Sequence, residues 1–195
     1  LGKRYTIYSI ELPYHGQTIW SEDRYGLADV MAWVESLLAK EQTTSFALLG
    51  YSYGGRIVQK LAPHFAAKIS CLFLLAPDGI FTRGMVNAHL VPLRIRLLLR
   101  RSLRDPRWLI RGAAAFHRLG LLSAFNLKFI RHHLSDPERR QRLFNTWVSM
   151  DEFRLRPSKT KQFFRESAIP VFLYFGRRDQ AIPLKSGEWM AKGME

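Results

Sequence analysis

The chain has 195 residues, 47% of them apolar, a single cysteine and a formal net charge of +14. That length supports one sizeable core and is too short for two comfortable ones. No uncharged apolar run approaches the roughly 20 residues of a membrane-spanning helix, no signal peptide is read, and one cysteine excludes an internal disulfide.

In chain order, Arg4 to Glu11 reads as a strand, with Tyr5, Ile7, Tyr8 and Ile10 suited to a pleated buried surface. A strand so near the first residue, with no initiating methionine, reads as a piece of a longer protein. Leu12 to Thr18 follows as a loop marked by Pro13 and Gly16. Ser21 is a candidate helix cap, with Glu22 and Asp23 in the first turn. Leu27, Val30, Met31, Val34, Leu37 and Leu38 then form one apolar stripe at helical spacing, which should lie against a sheet.

Ser45 to Leu49 is the second predicted strand, Gly54 to about Leu61 a helix, and Ile69 to Ala76 the third strand. Cys71 sits inside that last run and reads as a buried, inert thiol. Pro170 to Gly176 makes a fourth strand, and Pro183 or Ser186 opens a final helical piece. Strands that are nearly all apolar and alternate with helices imply a doubly wound α/β fold whose parallel sheet is covered on both faces.

Between Pro77 and Ile169 only helical patterning is read, broken at Asp105-Pro106, Gly120, Asp136-Pro137 and Pro157. The organisation expected is therefore a core of residues 1–76 and 170–195 with an all-helical insertion at 77–169. The charge follows the same division. Arg83 to Arg165 holds 19 Lys and Arg against 5 Asp and Glu, and the rest of the chain sums to zero.

The chemistry centres on Gly50-Tyr51-Ser52-Tyr53-Gly54-Gly55. A serine on a sharp turn between an apolar strand and a helix is held in strained backbone that pushes Oγ outward. Gly50 and Gly54 are expected to let neighbouring backbone pass close to it. The amide of Tyr53, at the start of the new helix, points toward where an oxyanion would form, and the helix's positive end adds to the field there.

Four motifs in order resemble the α/β-hydrolase superfamily, in the branch with a helical cap after the sixth strand. Glu11-Leu12-Pro13-Tyr14-His15-Gly16-Gln17-Thr18 is similar to the family's aspartate-x-proline-glycine-histidine-glycine-x-serine loop, with departures at Glu11, Tyr14 and Thr18. Gly50 to Gly55 matches the nucleophile elbow without departure. Leu74-Leu75-Ala76-Pro77 resembles the end of strand six, and Phe175-Gly176-Arg177-Arg178-Asp179 the acid loop after strand seven.

The resemblance implies Ser52 as nucleophile, Asp179 as triad acid, the Tyr53 N–H in the oxyanion hole, and His15 and Gly16 in a supporting loop. Asp78 is the runner-up acid, with a turn role favoured. No histidine follows Asp179, so the family's catalytic histidine is expected beyond Glu195 and the 195 residues alone are expected to be inactive. His15, His64, His89, His117, His132 and His133 read as structural, capping or solvated. The family's first three strands would precede Leu1. The Arg4–Glu11 strand should then either pair abnormally with Ser45–Leu49 or leave a gap.

The reaction implied is acyl transfer to Ser52 from an ester, thioester or related carbonyl, with no metal or organic cofactor. The basic cap suits an anionic or lipid-like substrate or an acidic membrane surface, or else its arginines are the solvated faces of amphipathic helices; the lack of a signal peptide and of a disulfide makes the expected setting cytoplasmic, with peripheral membrane contact left open. Nucleic acid is the weakest option, since no reader motif accompanies the arginines. The alternative is a catalytically inactive relative that binds an anionic partner or membrane through that cap. The oligomeric state is not encoded in these signals.

Overall fold

A computed structural model describes residues 4–80, 94, 105–179 and 181–194. Within them the chain forms a three-stranded parallel sheet, β1 (Phe46–Tyr51), β2 (Ile69–Leu75) and β3 (Val171–Tyr174), in the order β1-β2-β3. Helix α1 (Leu27–Lys40) precedes β1, α2 (Tyr53–Leu61) follows it, and α3 (Arg107–Arg118), α4 (Ala124–Ser135), α5 (Pro137–Ser149) and α6 (Pro157–Glu166) lie between β2 and β3. Helix α7 (Leu184–Ala191) closes the series.

The expected helical stripe becomes a buried face: Val30, Val34 and Leu38 of α1 join Ile57, Val58 and Leu61 of α2 in one core with Leu72 and Leu74 of β2. Phe153, Phe164 of α6, Ile169 and Met190 of α7 belong to the same core. The polypeptide thus returns to the body of the protein before β3 begins. Breaks between helices fall at Pro106, Gly120, Asp136-Pro137 and Pro157, each with a physical cause. Asp136 caps α5 by accepting from the Arg139 N–H at 2.8 Å, Pro137 and Pro157 open helices, and Gly120 takes φ 72°. The basic run 93–101, apart from exposed Arg94, and His89 lie outside the described residues.

Four sequence expectations are corrected. Arg4 to Glu11 is not a strand: among the described residues β1 is an edge of the sheet with no strand on its free side, and Tyr5 and Ile7 are each 63% exposed. Of the two alternatives, pairing with β1 does not occur among the described residues. Alternation shows that a segment can pair, but without a neighbouring strand its backbone takes no ladder. Ser21 does not start α1 either. Tyr14 Oη donates to Glu22 O at 2.6 Å and Trp20 Nε1 to Arg24 O at 3.1 Å, holding 20–25 as a loop, and the helix begins after Gly26, whose N–H meets Asp29 Oδ2 at 2.7 Å.

The third concerns cover and not class: parallel strands alternating with helices are the doubly wound α/β arrangement expected, and the departure lies in the sheet's two faces. One is covered by the core just described, whereas the other carries Leu49, Phe73 and Phe172 in one row and Tyr51, Leu75 and Tyr174 in the next. Leu49 is 63% exposed and Tyr51 68%, so among the described residues cover is found on one face. The Phe73 and Phe172 rings stack at 4.9 Å on the open side. Cys71 is the fourth: it points to that open face and is half-buried rather than enclosed. No helix among the described residues is long and apolar enough to cross a membrane.

Candidate active site

The turn after β1 is as tight as its glycines suggest. Ser52 has φ 51° and ψ −117°, a left-handed backbone that costs a non-glycine residue energy, and it is followed at once by α2, whose first residue is Tyr53. The turn is fastened on both sides: the Ser52 N–H donates to Leu75 O at 3.0 Å, and Ser52 O accepts from the Arg56 N–H at 3.2 Å and from the Asp78 N–H at 2.9 Å. Ser52 is half-buried.

Which glycines matter differs from expectation. A Cβ on Gly50 would stand 2.6 Å from Gly54 O and 2.7 Å from Gly55 Cα, all backbone, and one on Gly55 would stand 2.7 Å from Pro77 Cβ. Gly54 has open space around it. The close approach therefore needs Gly50 and Gly55, because α2 crosses over β1 at one point and is met by Pro77 after β2.

All three strands are parallel and end in register, with Tyr51 opposite Leu75 and Leu75 opposite Tyr174. The loops carrying Ser52, Asp78 and Asp179 consequently leave the same carboxyl edge, where parallel sheets place their ligands. Strands two apart stand roughly 10 Å from each other, so loops from β1 and β3 can converge across β2. Asp179 is half-buried and fixed by its own loop: Oδ1 accepts from the Ala181 N–H at 2.8 Å and the Ile182 N–H at 2.9 Å. Its second oxygen, Oδ2, has no partner among the described residues.

Asp78 has a different occupation. Its Oδ2 pairs with Arg56 Nη2 at 2.8 Å, with side chains 13% and 4% exposed, and its Oδ1 accepts from the Gly79 N–H at 2.7 Å. Gln59 Nε2 joins the group by donating to Gly55 O and to Asp78 O, each at 3.1 Å. This buried ion pair under the elbow was missed in the sequence. The available signal was a lone arginine, Arg56, beside the apolar run Ile57-Val58 of a helix that had to be buried.

Aromatic packing secures the elbow from the other side. Tyr53 stands edge-on to Phe153 with centroids 6.1 Å apart, and Tyr25 Oη lies 3.2 Å from Tyr53 Oη. Burial, opposed by the hydrogen bond with the Tyr53 hydroxyl, pushes the Tyr25 phenol from its ordinary 10.0 to about 12, and burial drives the Tyr53 phenol higher still.

The supporting loop is ordered by Glu11 in place of the family's aspartate. Glu11 Oε2 accepts from the Gln17 N–H at 2.8 Å, Glu11 O from Thr18 Oγ1 at 2.9 Å, and Gly16 adopts φ 55° over the carboxylate. The His15 ring is tied to its own loop, Nδ1 lying 2.9 Å from Pro13 O. His117 Nδ1 lies 2.7 Å from Leu122 O, and His132 meets Arg139. No described histidine is hydrogen-bonded to Ser52 or Asp179.

A parallel sheet with a strained serine and an acid loop at its carboxyl edge defines the α/β-hydrolase class. The model of the alpha/beta hydrolase family matches residues 1–195, and the chain belongs to that family. No curated protein matches the sequence.

Among solved structures it is similar to a meta-cleavage product hydrolase of Pseudomonas fluorescens, with a TM-score of 0.52 at 15% identity over 92% of this chain and 64% of that one. It is similar also to a carboxylesterase of the thaumarchaeon Nitrososphaera gargenis, with 0.57 at 15% over 94% and 66%. A monoacylglycerol lipase of Paleococcus ferrophilus gives 0.54 at 17% over 93% and 66%. The chain thus spans less than two thirds of the length of these proteins, and the likeness shows the fold.

Proposed function

We propose that this chain is the nucleophile- and acid-bearing part of a serine hydrolase acting on an ester, thioester or related carbonyl of a small molecule. The observation that carries the reading is Ser52 at φ 51° between β1 and α2, on the sheet edge that also holds Asp179. Ser52 Oγ attacks the carbonyl carbon. The Tyr53 N–H at the start of α2 receives the developing oxyanion, and the leaving alcohol or thiol departs from the tetrahedral intermediate.

Asp179 orients a histidine through Oδ2, the oxygen its own loop leaves open. That histidine takes the Ser52 proton and returns it to the leaving group, and water then releases the acyl group from Ser52. His15 is tied to Pro13 O and His117 to Leu122 O, and this reading assigns the base to a histidine of the complete protein that follows the acid in chain order, as in the family. Residues 77–169 act as the cap over the site, of which α6 is anchored in the core through Phe164.

Turnover of p-nitrophenyl esters by the complete protein tests the reading. Ser52→Ala is expected to abolish it. Asp179→Asn keeps an acceptor oxygen for the Ala181 and Ile182 amides and should leave the urea midpoint nearly unchanged while lowering turnover by about 10³–10⁴-fold. Full turnover in Ser52→Ala would refute the assignment.

A further inference from the structure

Apart from the elbow, the molecule has a second concave region built from three consecutive helices. Ala124, Leu127, Lys128, Arg131, His132 and Ser135 recur at steps of three and four along α4 and so share one face of it. They line a cleft of about 590 Å³, with His117 from the last turn of α3 and Arg139 from the first turn of α5. That volume suits a small organic ligand, which in general needs roughly 300–1,000 Å³.

The lining has a one-sided composition. Leu127 and Ala124 give apolar surface, and Lys128, Arg131 and Arg139 bring three cations with no carboxylate among the residues of the cleft. Elsewhere the described arginines in ion pairs meet acids: Arg24 with Glu152, Arg56 with Asp78, Arg107 with Asp105, and Arg154 with Asp151. None of the three cleft cations has such a partner among the described residues. Of the acids nearby in sequence, Asp136 is committed through Oδ1 to the Arg139 backbone N–H, and Glu138, exposed in the first turn of α5, forms no ion pair with the three cations among the described residues. Arg139 Nη1 instead lies 3.3 Å from Nδ1 and 3.4 Å from Nε2 of His132, so the guanidinium is held against the cleft wall by an imidazole.

Like charges gathered around a concavity repel one another and are relieved by an anion, and guanidinium groups match the planar pairs of oxygens that a phosphate presents. We propose that this cleft binds a phosphate monoester, with Arg131, Arg139 and Lys128 on the phosphate and Leu127 and Ala124 against the apolar part of the same molecule. Such a group reaches the site either as a soluble phosphate ester or as a lipid headgroup. The proposal concerns binding alone and holds whether or not Ser52 is a nucleophile.

The test uses the complete protein, glycerol 3-phosphate by isothermal titration calorimetry, and sedimentation with phosphatidylcholine vesicles with and without phosphatidic acid. Saturable binding of either is expected, and Arg131→Gln with Arg139→Gln should weaken it by about tenfold or more. Lys159→Gln with Arg165→Gln removes the same charge from exposed positions on α6 and should change it little. Binding of the soluble ester alone assigns a small metabolite, and binding of acidic vesicles alone assigns a headgroup. Binding of neither, or equal weakening by both pairs of substitutions, overturns the proposal. Circular dichroism of the variants, all at exposed side chains, separates loss of binding from loss of fold.

Discussion

Replacing Arg56 by methionine should destabilise the protein far more than loss of an ordinary surface ion pair. Arg56 and Asp78 have side chains 4% and 13% exposed and meet at 2.8 Å. Truncating the arginine leaves the Asp78 carboxylate beneath the elbow with the Gly79 N–H as its remaining side-chain partner. Breaking a buried pair in this way costs about 3–5 kcal/mol, against about 0–1 for an exposed pair. At about 2–4 °C per kcal/mol for a chain of this size, the thermal midpoint should fall by about 10 °C. Asp78→Asn should also destabilise, and the double variant Arg56→Met with Asp78→Asn should cost clearly less than the two single changes together, since it leaves neither charge alone. Urea unfolding followed by circular dichroism measures all three. A cost under about 1 kcal/mol for Arg56→Met, or plain additivity in the double variant, would refute the reasoning.

Two further outcomes follow from the same region. Gly50→Ala forces backbone apart and should cost about 1–3 kcal/mol, while Gly54→Ala meets nothing and should be neutral or slightly stabilising; equal urea midpoints would contradict the geometry. Tyr25, with its phenol raised from 10.0 to about 12, stays protonated when folded at pH values where the unfolded chain ionises it. Its contribution is complete below pH 10.0 and is lost as pH rises toward about 12, so Tyr25→Phe should flatten the alkaline fall in stability between those values.

The elbow was legible in the sequence because a strained turn imposes local demands: a serine between an apolar strand and a helix, with glycine two before it. The helical breaks at Asp136-Pro137 and Pro157 were legible for the same reason, since proline and a capping aspartate act within one turn. What could not be read depends on residues distant in the chain. Gly55 is crowded by Pro77, Arg56 is buried against Asp78, and both become neighbours only when β2 lies beside β1. Arg4 to Glu11 has the alternation of a strand but, among the described residues, no strand to pair with, which no local pattern reports. Likewise, the apolar residues of β1 and β3 fit a sheet covered on both faces, although Leu49 and Tyr174 face outward among the described residues.

The claim on which the account turns is that the residue-52 hydroxyl is a nucleophile. Treating the complete protein with a fluorophosphonate and mapping the adduct by peptide mass spectrometry addresses it directly. The expected result is one adduct, on the peptide containing Ser52, absent in Ser52→Ala and much slower to form in Asp179→Asn. An unlabelled protein, or an adduct on a different residue, would contradict it.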